Sequence, residues 1–387
     1  MTFLLISLFL LLPYAGLIIY YRYGWLACKA YLPSEDRLAG NTTFISVIIA
    51  ARNEEKNIGN CIASINKQTY PENLFEVIIV DDNSSDATVA VARSFVQNNT
   101  RIINLNDFTA NDTINSYKKK AVETAIGLAK GKVIITTDAD CIVQPGWLET
   151  MAAYYEESGA VFIAAPVVYD DPTPEDSIFK KLLKIFQSLD FMTLQGITGA
   201  SVYKKLHNMC NGANLAYEKN AFSKVGGFEG INAMASGDDM LLMHKIQKEY
   251  PRGIRYLKSP GVIVRTQPAE TVYEFMNQRI RWASKADKYP DPKITVVLVL
   301  VYLLNAWIFF IALYSFFSLR IFFLCLFLLI AKILVELFFL FPVARFFGKQ
   351  QLLWWFIPAQ PLHIIYTLIA GWLGKFGSYK WKNRRVK

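Results

Sequence analysis

The sequence predicts an α/β protein, a doubly covered parallel-sheet domain carried between membrane-spanning helices. Two observations predict it. Between residues 40 and 290, short apolar runs rich in β-branched residues alternate with helix-periodic segments. Outside that interval lie four long apolar stretches, 2–21, 294–319, 321–347 and 352–373, each near the length a bilayer core requires. A third observation, the placing of polar clusters at the ends of the apolar runs, points to a ligand edge, because open α/β sheets bind ligands beyond the carboxyl ends of their strands.

The elements follow in order. Residues 44–50, FISVIIA, form a strand. Residues 55–66 place Ile58, Cys61, Ile62 and Ile65 on one helical face. A second strand, FEVIIV (75–80), runs into DDNSSDAT, whose Asp and Ser residues suit a turn and a helix N-cap. A helix over 119–129 stops at Gly131, a strand spans 133–137, a helix 147–155 and a strand 160–165.

The stretch KVIITTDADC (132–141) ends a buried strand in two carboxylates, Asp138 and Asp140. Residues i and i+2 of an extended chain point the same way, so the two charges repel unless a cation sits between them. Hard oxygen donors suit a divalent ion, Mg²⁺ or Mn²⁺. The other polar clusters are ARNEE (51–55) and DDNSSD (81–86). No GxGxxG follows the first strand and no GxxxxGK[ST] occurs, which argues against a dinucleotide fingerprint and a P-loop.

Composition narrows the class. The 387 residues are 53% hydrophobic. The apolar stretch 2–21 is followed by Arg22, Lys29 and Arg37, with no basic residue before it, which predicts an uncleaved anchor over residues 1–22 with a cytoplasmic C-terminal flank. Five scattered cysteines without CxxC argue against a disulfide framework or zinc site. The net charge of +9 is concentrated partly in the tail 374–387, where a basic flank suits anionic lipid headgroups rather than nucleic acid. The expected organisation is an anchor (1–22), a soluble domain (40–290), C-terminal hydrophobic helices (294–373) and the basic tail. Three C-terminal crossings would leave that tail outside the cytoplasm, so the segment 352–373, which holds Pro358 and Pro361, is expected to lie in the interface or re-enter. Lys332 and Glu336, one turn apart in another apolar segment, read either as a self-neutralising pair or as a polar lining.

Seven pieces, VIIAARNEE, VIIVDDNSSDAT, KKKAVETAIGLAKG, IITTDADC, NGANLAYEKNAFSKVGGF, SGDDMLL and QRIRW, appear in order over residues 46–282. Together they resemble the membrane-bound family-2 glycosyltransferases, with a GT-A nucleotide-sugar (Rossmann-like) domain flanked by transmembrane helices. The resemblance implies that Glu54, Asp81 and Asp82 meet the nucleoside and that Lys118 faces the nucleotide or its phosphates, although Tyr117 stands where a glycine usually precedes that lysine. Asp138 and Asp140 are the DxD pair, with Asp140 as direct metal ligand. Asp238 and Asp239 are the acidic pair that holds the general base, assigned to Asp239. Gln278, Arg281 and Trp282 are the QxxRW motif, near the diphosphate and acceptor on a helix at the membrane surface. The same three residues would also suit an amphipathic interfacial helix without a catalytic part.

The resemblance further implies an inverting transfer of sugar from a UDP-sugar to a lipid-linked, amphipathic or glycan acceptor, by an integral protein of the cytoplasmic membrane with its catalytic domain in the cytoplasm. A processive synthase of the cellulose, hyaluronan or poly-N-acetylglucosamine type is the alternative. A degenerate, non-catalytic receptor conflicts with the intact motifs, and a nucleotidyltransferase does not account for QxxRW.

Overall fold

The computed structural model describes residues 1–34, 38, 40–109, 116–231, 237–286, 288–377, 379–381 and 384–386. Arg37, Lys382 and Lys387, counted above in the basic flanks, lie outside these. The chain forms two compact units, one of residues 29–168 and 208–267, the other of 1–28, 169–207 and 268–387. The expected interval 40–290 is therefore not one body. Residues 169–207 and 268–290 group with the apolar helices because they build helices that pack on them. Ile178–Lys204 packs on Thr2–Ala27 and Leu319–Phe346, and Val272–Ala283 packs on Phe356–Phe376.

The first unit is built on β1 (Ile45–Ala51), β2 (Phe75–Asp81), β3 (Thr100–Asn104), β4 (Val133–Asp138), β5 (Phe162–Ala164), β6 (Val167–Tyr169), β7 (Leu215–Glu218), β8 (Ile254–Tyr256) and β9 (Val264–Thr266). Seven of them make one sheet in the order β3-β2-β1-β4-β7-β5-β8. β1 to β4 are mutually parallel, as their unbroken apolar runs imply. The sheet as a whole is mixed, not parallel. The chain enters β7 at the ligand edge, where Leu215 pairs with Thr136, so β7 runs antiparallel to β4 and to β5. The helices fall close to where periodicity places them, at Ile58–Ile65, Tyr117–Leu128 and Trp147–Ser158.

The edge of the sheet remote from the ligand edge is closed by a satisfied buried carboxylate. Glu76 accepts from the Ser46 hydroxyl (2.7 Å) and the Lys130 N–H (2.5 Å) and pairs with Arg101 (3.1 Å). Gly131 donates its N–H to Ser46 Oγ at 2.8 Å, and a Cβ there would stand 2.4 Å from the Ser46 nitrogen. Glycine is required by that close approach.

Among the described residues of the second unit, four helical stretches are long and apolar enough to cross a membrane, Thr2–Ala27, Pro292–Phe317, Leu319–Phe346 and Gln350–Phe376. The prolines do not interrupt the last. Its irregular part is the 3₁₀ turn Gln350–Trp355, and an α-helix runs on from Phe356 to Phe376 with Pro361 inside it. Pro358 sits in the first turn, where its missing N–H has no intrahelical acceptor to lose.

Lys332 and Glu336 belong to a closed cluster. Lys332 Nζ donates to Glu336 Oε2 (3.0 Å) and Gln360 Oε1 (2.7 Å). Gln360 Nε2 donates to Glu336 Oε2 (2.9 Å), and the Tyr14 hydroxyl donates to its other oxygen. Three apolar helices are thereby joined by groups that satisfy one another. Removing one charge strands the other, a loss of about 3–5 kcal/mol for a buried pair. Lys332→Met should therefore lower the melting temperature in detergent, and adding Glu336→Gln should restore much of it. Equal melting of the single and double variants would rule out a paired charge.

Candidate active site

The two loops that leave β1 and β2 are braced against each other. Asn53 and Asn83 both take left-handed backbone angles (φ 53°), a conformation Asn tolerates better than most residues. Asn53 N–H donates to Ser84 Oγ (3.0 Å), and Ser85 N–H donates to Asn53 Oδ1 (2.9 Å). Glu54 N–H donates to Thr88 Oγ1 (2.7 Å), while Glu55 Oε2 accepts from Ala87 N–H (3.0 Å). The polar residues of DDNSSDAT thus brace the neighbouring loop more than they cap a helix, whose N-cap position is Ala87. Asp81 accepts from Ser84 N–H (3.3 Å), and Asp82 faces Arg52 Nη1 at 3.4 Å. Both carboxylates are buried.

β4 ends at Asp138, and Ala139–Asp140 form a turn closed by Cys141 N–H on Asp138 O (3.1 Å). The extended geometry expected for DxD is therefore absent, and the two carboxylates find different partners. Asp138 Oδ1 accepts from Lys118 Nζ at 2.6 Å. Asp140 Oδ2 accepts from the Thr266 hydroxyl at 3.2 Å. Burial, then Asp138, then Glu54, push the Asp140 carboxyl up to about 6.

Lys118 lies in the first turn of the helix Tyr117–Leu128. Burial pulls its ammonium down, but Asp138, Asp238 and Asp239 outweigh that and hold it above its ordinary value. Lys118, Asp138, Asp238 and Asp239 line one cleft, together with Gly212, Thr136 and Tyr217. Asp238 and Asp239 open the helix Asp238–Glu249, where the partial positive charge of the N-terminus favours carboxylates. Gly212 N–H donates to Asp239 Oδ2 (2.9 Å) and Met240 N–H to its Oδ1 (2.8 Å), fixing the plane of that carboxylate.

Of the residues expected at the site, Glu54, Asp81, Asp82, Lys118, Asp138, Asp140, Asp238 and Asp239 all belong to the sheet unit. Gln278, Arg281 and Trp282 belong to the helical unit, on the helix Val272–Ala283. Sequence reasoning missed Arg52, Thr266, Gly212 and Lys119. Lys119 is buried and donates to the Ile231 carbonyl at 2.6 Å. The run of three lysines was the available signal, since successive helical residues lie about 100° apart and cannot share one task.

Among the described residues, no three His, Cys, Asp or Glu side chains gather to hold a metal by themselves. The donor chemistry nonetheless fits a divalent ion. Asp138 and Asp140 are hard oxygen donors, and Asp140 sits in an excess of negative charge that a cation would relieve. Ligand oxygens and water would complete the coordination.

A mixed sheet with this acidic cleft defines a GT-A type α/β domain, and the comparisons with known proteins agree. Residues 46–226 match the profile described as Glycosyl transferase family 2. Glycosyltransferase AglE of Haloferax volcanii is 28% identical over 197 residues, 51% of this chain and 59% of its own. The beta-monoglucosyldiacylglycerol synthase of Trichormus variabilis is 24% identical over 251 residues, 64% of this chain and 50% of its own. The chain thus spans about half the length of these relatives. The mannosyltransferase PcManGT from Pyrobaculum calidifontis, solved with GDP-Man and Mn²⁺, shares the fold with a TM-score of 0.56 at 18% identity, over 96% of this chain and 98% of its own.

The raised Asp140 carboxyl has a consequence for stability. Its contribution is fully present below the ordinary value of 3.8 and is lost as pH rises through about 6. With EDTA present, Asp140→Asn should melt higher than the native protein at pH 8, and the difference should vanish toward pH 4. Identical melting at pH 8 would show that the carboxylate is not strained.

Proposed function

We propose that the protein transfers a sugar from a nucleoside-diphosphate donor, a UDP-sugar, to a hydroxyl of a lipid-linked or amphipathic acceptor at the membrane, with inversion at the anomeric carbon. One observation carries this reading. Lys118, Asp138, Asp238 and Asp239 share a cleft of a domain that matches the family-2 glycosyltransferase profile, in a chain whose described residues include four helices long and apolar enough to cross a membrane. A relative named for the synthesis of a glycosyldiacylglycerol supports a lipid acceptor. The proposed setting is the cytoplasmic membrane, with the sheet unit on the cytoplasmic side.

In this reading Glu54, Asp81 and Asp82 receive the nucleoside. Asp138 and Asp140 would hold a Mg²⁺ or Mn²⁺ ion, which supplies charge neutralisation at the leaving diphosphate. Lys118 keeps further N–H donors beyond the one given to Asp138 and offers them to phosphate oxygens. Asp239 takes the proton of the acceptor hydroxyl as it attacks. Hydrogen bonds from the Gly212 and Met240 N–H groups set its orientation. Asp238 adds negative charge beside it, and Gln278, Arg281 and Trp282 serve the diphosphate and acceptor.

Membranes incubated with a panel of nucleotide sugars and Mg²⁺ or Mn²⁺ test the reading by mass spectrometry. The expected products are a nucleoside diphosphate, UDP, and an acceptor heavier by one sugar. A ladder of products would indicate a processive synthase, and pyrophosphate release a nucleotidyltransferase. Asp140→Ala should abolish turnover and the metal-dependent part of UDP binding. Full activity with chelator present would remove the metal from the account. Asp239→Asn should keep donor affinity and lose about 10²-fold or more in rate. A large loss in Asp238→Asn alone would transfer the base to that residue.

A further inference from the structure

The helix Val272–Ala283 carries two arginines, and only Arg281 belongs to the QxxRW pattern. The buried one is its neighbour Arg279, 4% exposed. Its Nη2 lies 2.6 Å from Asp190 Oδ2, on the helix Ile178–Lys204. The other Asp190 oxygen accepts from the Tyr366 hydroxyl and stands 3.9 Å from His363 Nε2, both on the helix Phe356–Phe376. The Arg279 guanidinium also stacks 4.2 Å over Trp282 and 4.8 Å over Phe275, a geometry the positive charge favours. Trp282 in turn meets Phe191, the residue after Asp190.

We propose that Arg279, held by Asp190, is a positioning residue that fixes Trp282 and turns Gln278 into an obligate hydrogen-bond donor. The argument for Gln278 is one of donor and acceptor inventory. Arg279 Nη1 donates to Gln278 Oε1 at 3.2 Å, and the Tyr169 hydroxyl reaches the same oxygen at 3.3 Å. A guanidinium carries donors only, so a flipped amide would set N–H against N–H. The Oε1 is therefore pinned inward. Its amide nitrogen, which has no partner among the described residues, is left for a ligand. The atom it meets is an acceptor oxygen, of the kind a diphosphate presents. The inference rests on the transfer reaction proposed above for its ligand, but not for the internal geometry.

Removing Arg279 alone would strand Asp190 and endanger the fold. The informative change removes both charges, Arg279→Met with Asp190→Leu, in the full-length protein in detergent. Two readouts are taken beside UDP affinity. One is kcat and KM for the acceptor. The other is the ¹⁹F signal of Trp282 in protein labelled with 5-fluorotryptophan, assigned by its loss in Trp282→Phe. The double variant should lose about tenfold or more in kcat/KM, in line with the sensitivity of catalysis to small displacements, and show a shifted or broadened Trp282 signal. Arg279→Lys, which keeps the charge but not the planar fork, should fall between. Gln278→Glu, isosteric but without the amide donor, should lose transfer with the Trp282 signal little moved. Native transfer together with an unmoved Trp282 signal in the double variant would overturn the proposal. If the native protein transfers no sugar, the reaction reading has failed, and the fluorine signal alone decides the positioning. If the double variant no longer binds UDP, Arg279→Lys and Gln278→Glu decide it by the same readouts.

Discussion

The Lys118–Asp138 ion pair is the interaction on which the ligand edge depends. Carboxylates from the ends of β1, β2 and β4 and from the start of the helix Asp238–Glu249 converge on one side of the sheet unit. Like charges at such spacing destabilise the folded state unless something offsets them. Lys118 offsets part of that repulsion, facing Asp138 at 2.6 Å and feeling Asp238 and Asp239. The remainder is visible at Asp140, whose carboxyl stays raised. Carboxylates that Lys118 offsets only in part suit a ligand that brings a cation with it.

The surrounding framework is arranged to hold that edge still. The loops after β1 and β2 share hydrogen bonds side chain to backbone in both directions. At the opposite edge, Glu76 ties β1, β2 and β3 together through Ser46 and Arg101, and Gly131 admits the chain into β4 at close quarters. The far edge thus has its buried carboxylate, Glu76, partnered on both oxygens.

The helical unit solves a different problem. Its long helices are apolar on most faces, and hydrophobicity alone does not tell such helices which neighbour to choose. Two buried polar clusters make the choice. Lys332, Glu336, Gln360 and Tyr14 join three helices in one network. Arg279, Asp190 and Tyr366 join three segments in the other. Close helix contacts through small residues add to this: a Cβ on Gly196 would stand 2.6 Å from Val343, and one on Gly374 2.6 Å from Ala283.

Much of this was determined by the sequence. The apolar runs of β1, β2 and β4 dictate buried parallel strands, because only strands covered on both faces read that way. The polar clusters that end them mark one edge of the sheet, and the family resemblance singles out Lys118, Asp138 and Asp239, which the tertiary structure brings to one cleft. Local pattern could not give the direction of β7, since a strand of alternating or apolar residues pairs equally well either way. It could not give the turn at Ala139–Asp140, which sends two carboxylates two residues apart to different partners. Nor could it divide the chain, because the helices Ile178–Lys204 and Val272–Ala283 are polar enough to look like parts of a soluble domain until their buried faces meet the apolar helices. The separate tasks of Lys118 and Lys119, and the choice of Arg279 over Arg281 as the buried arginine, were likewise decided by tertiary structure. Identical side chains one or two positions apart differ only in the direction they face, and that direction has meaning only once the neighbouring elements are in place.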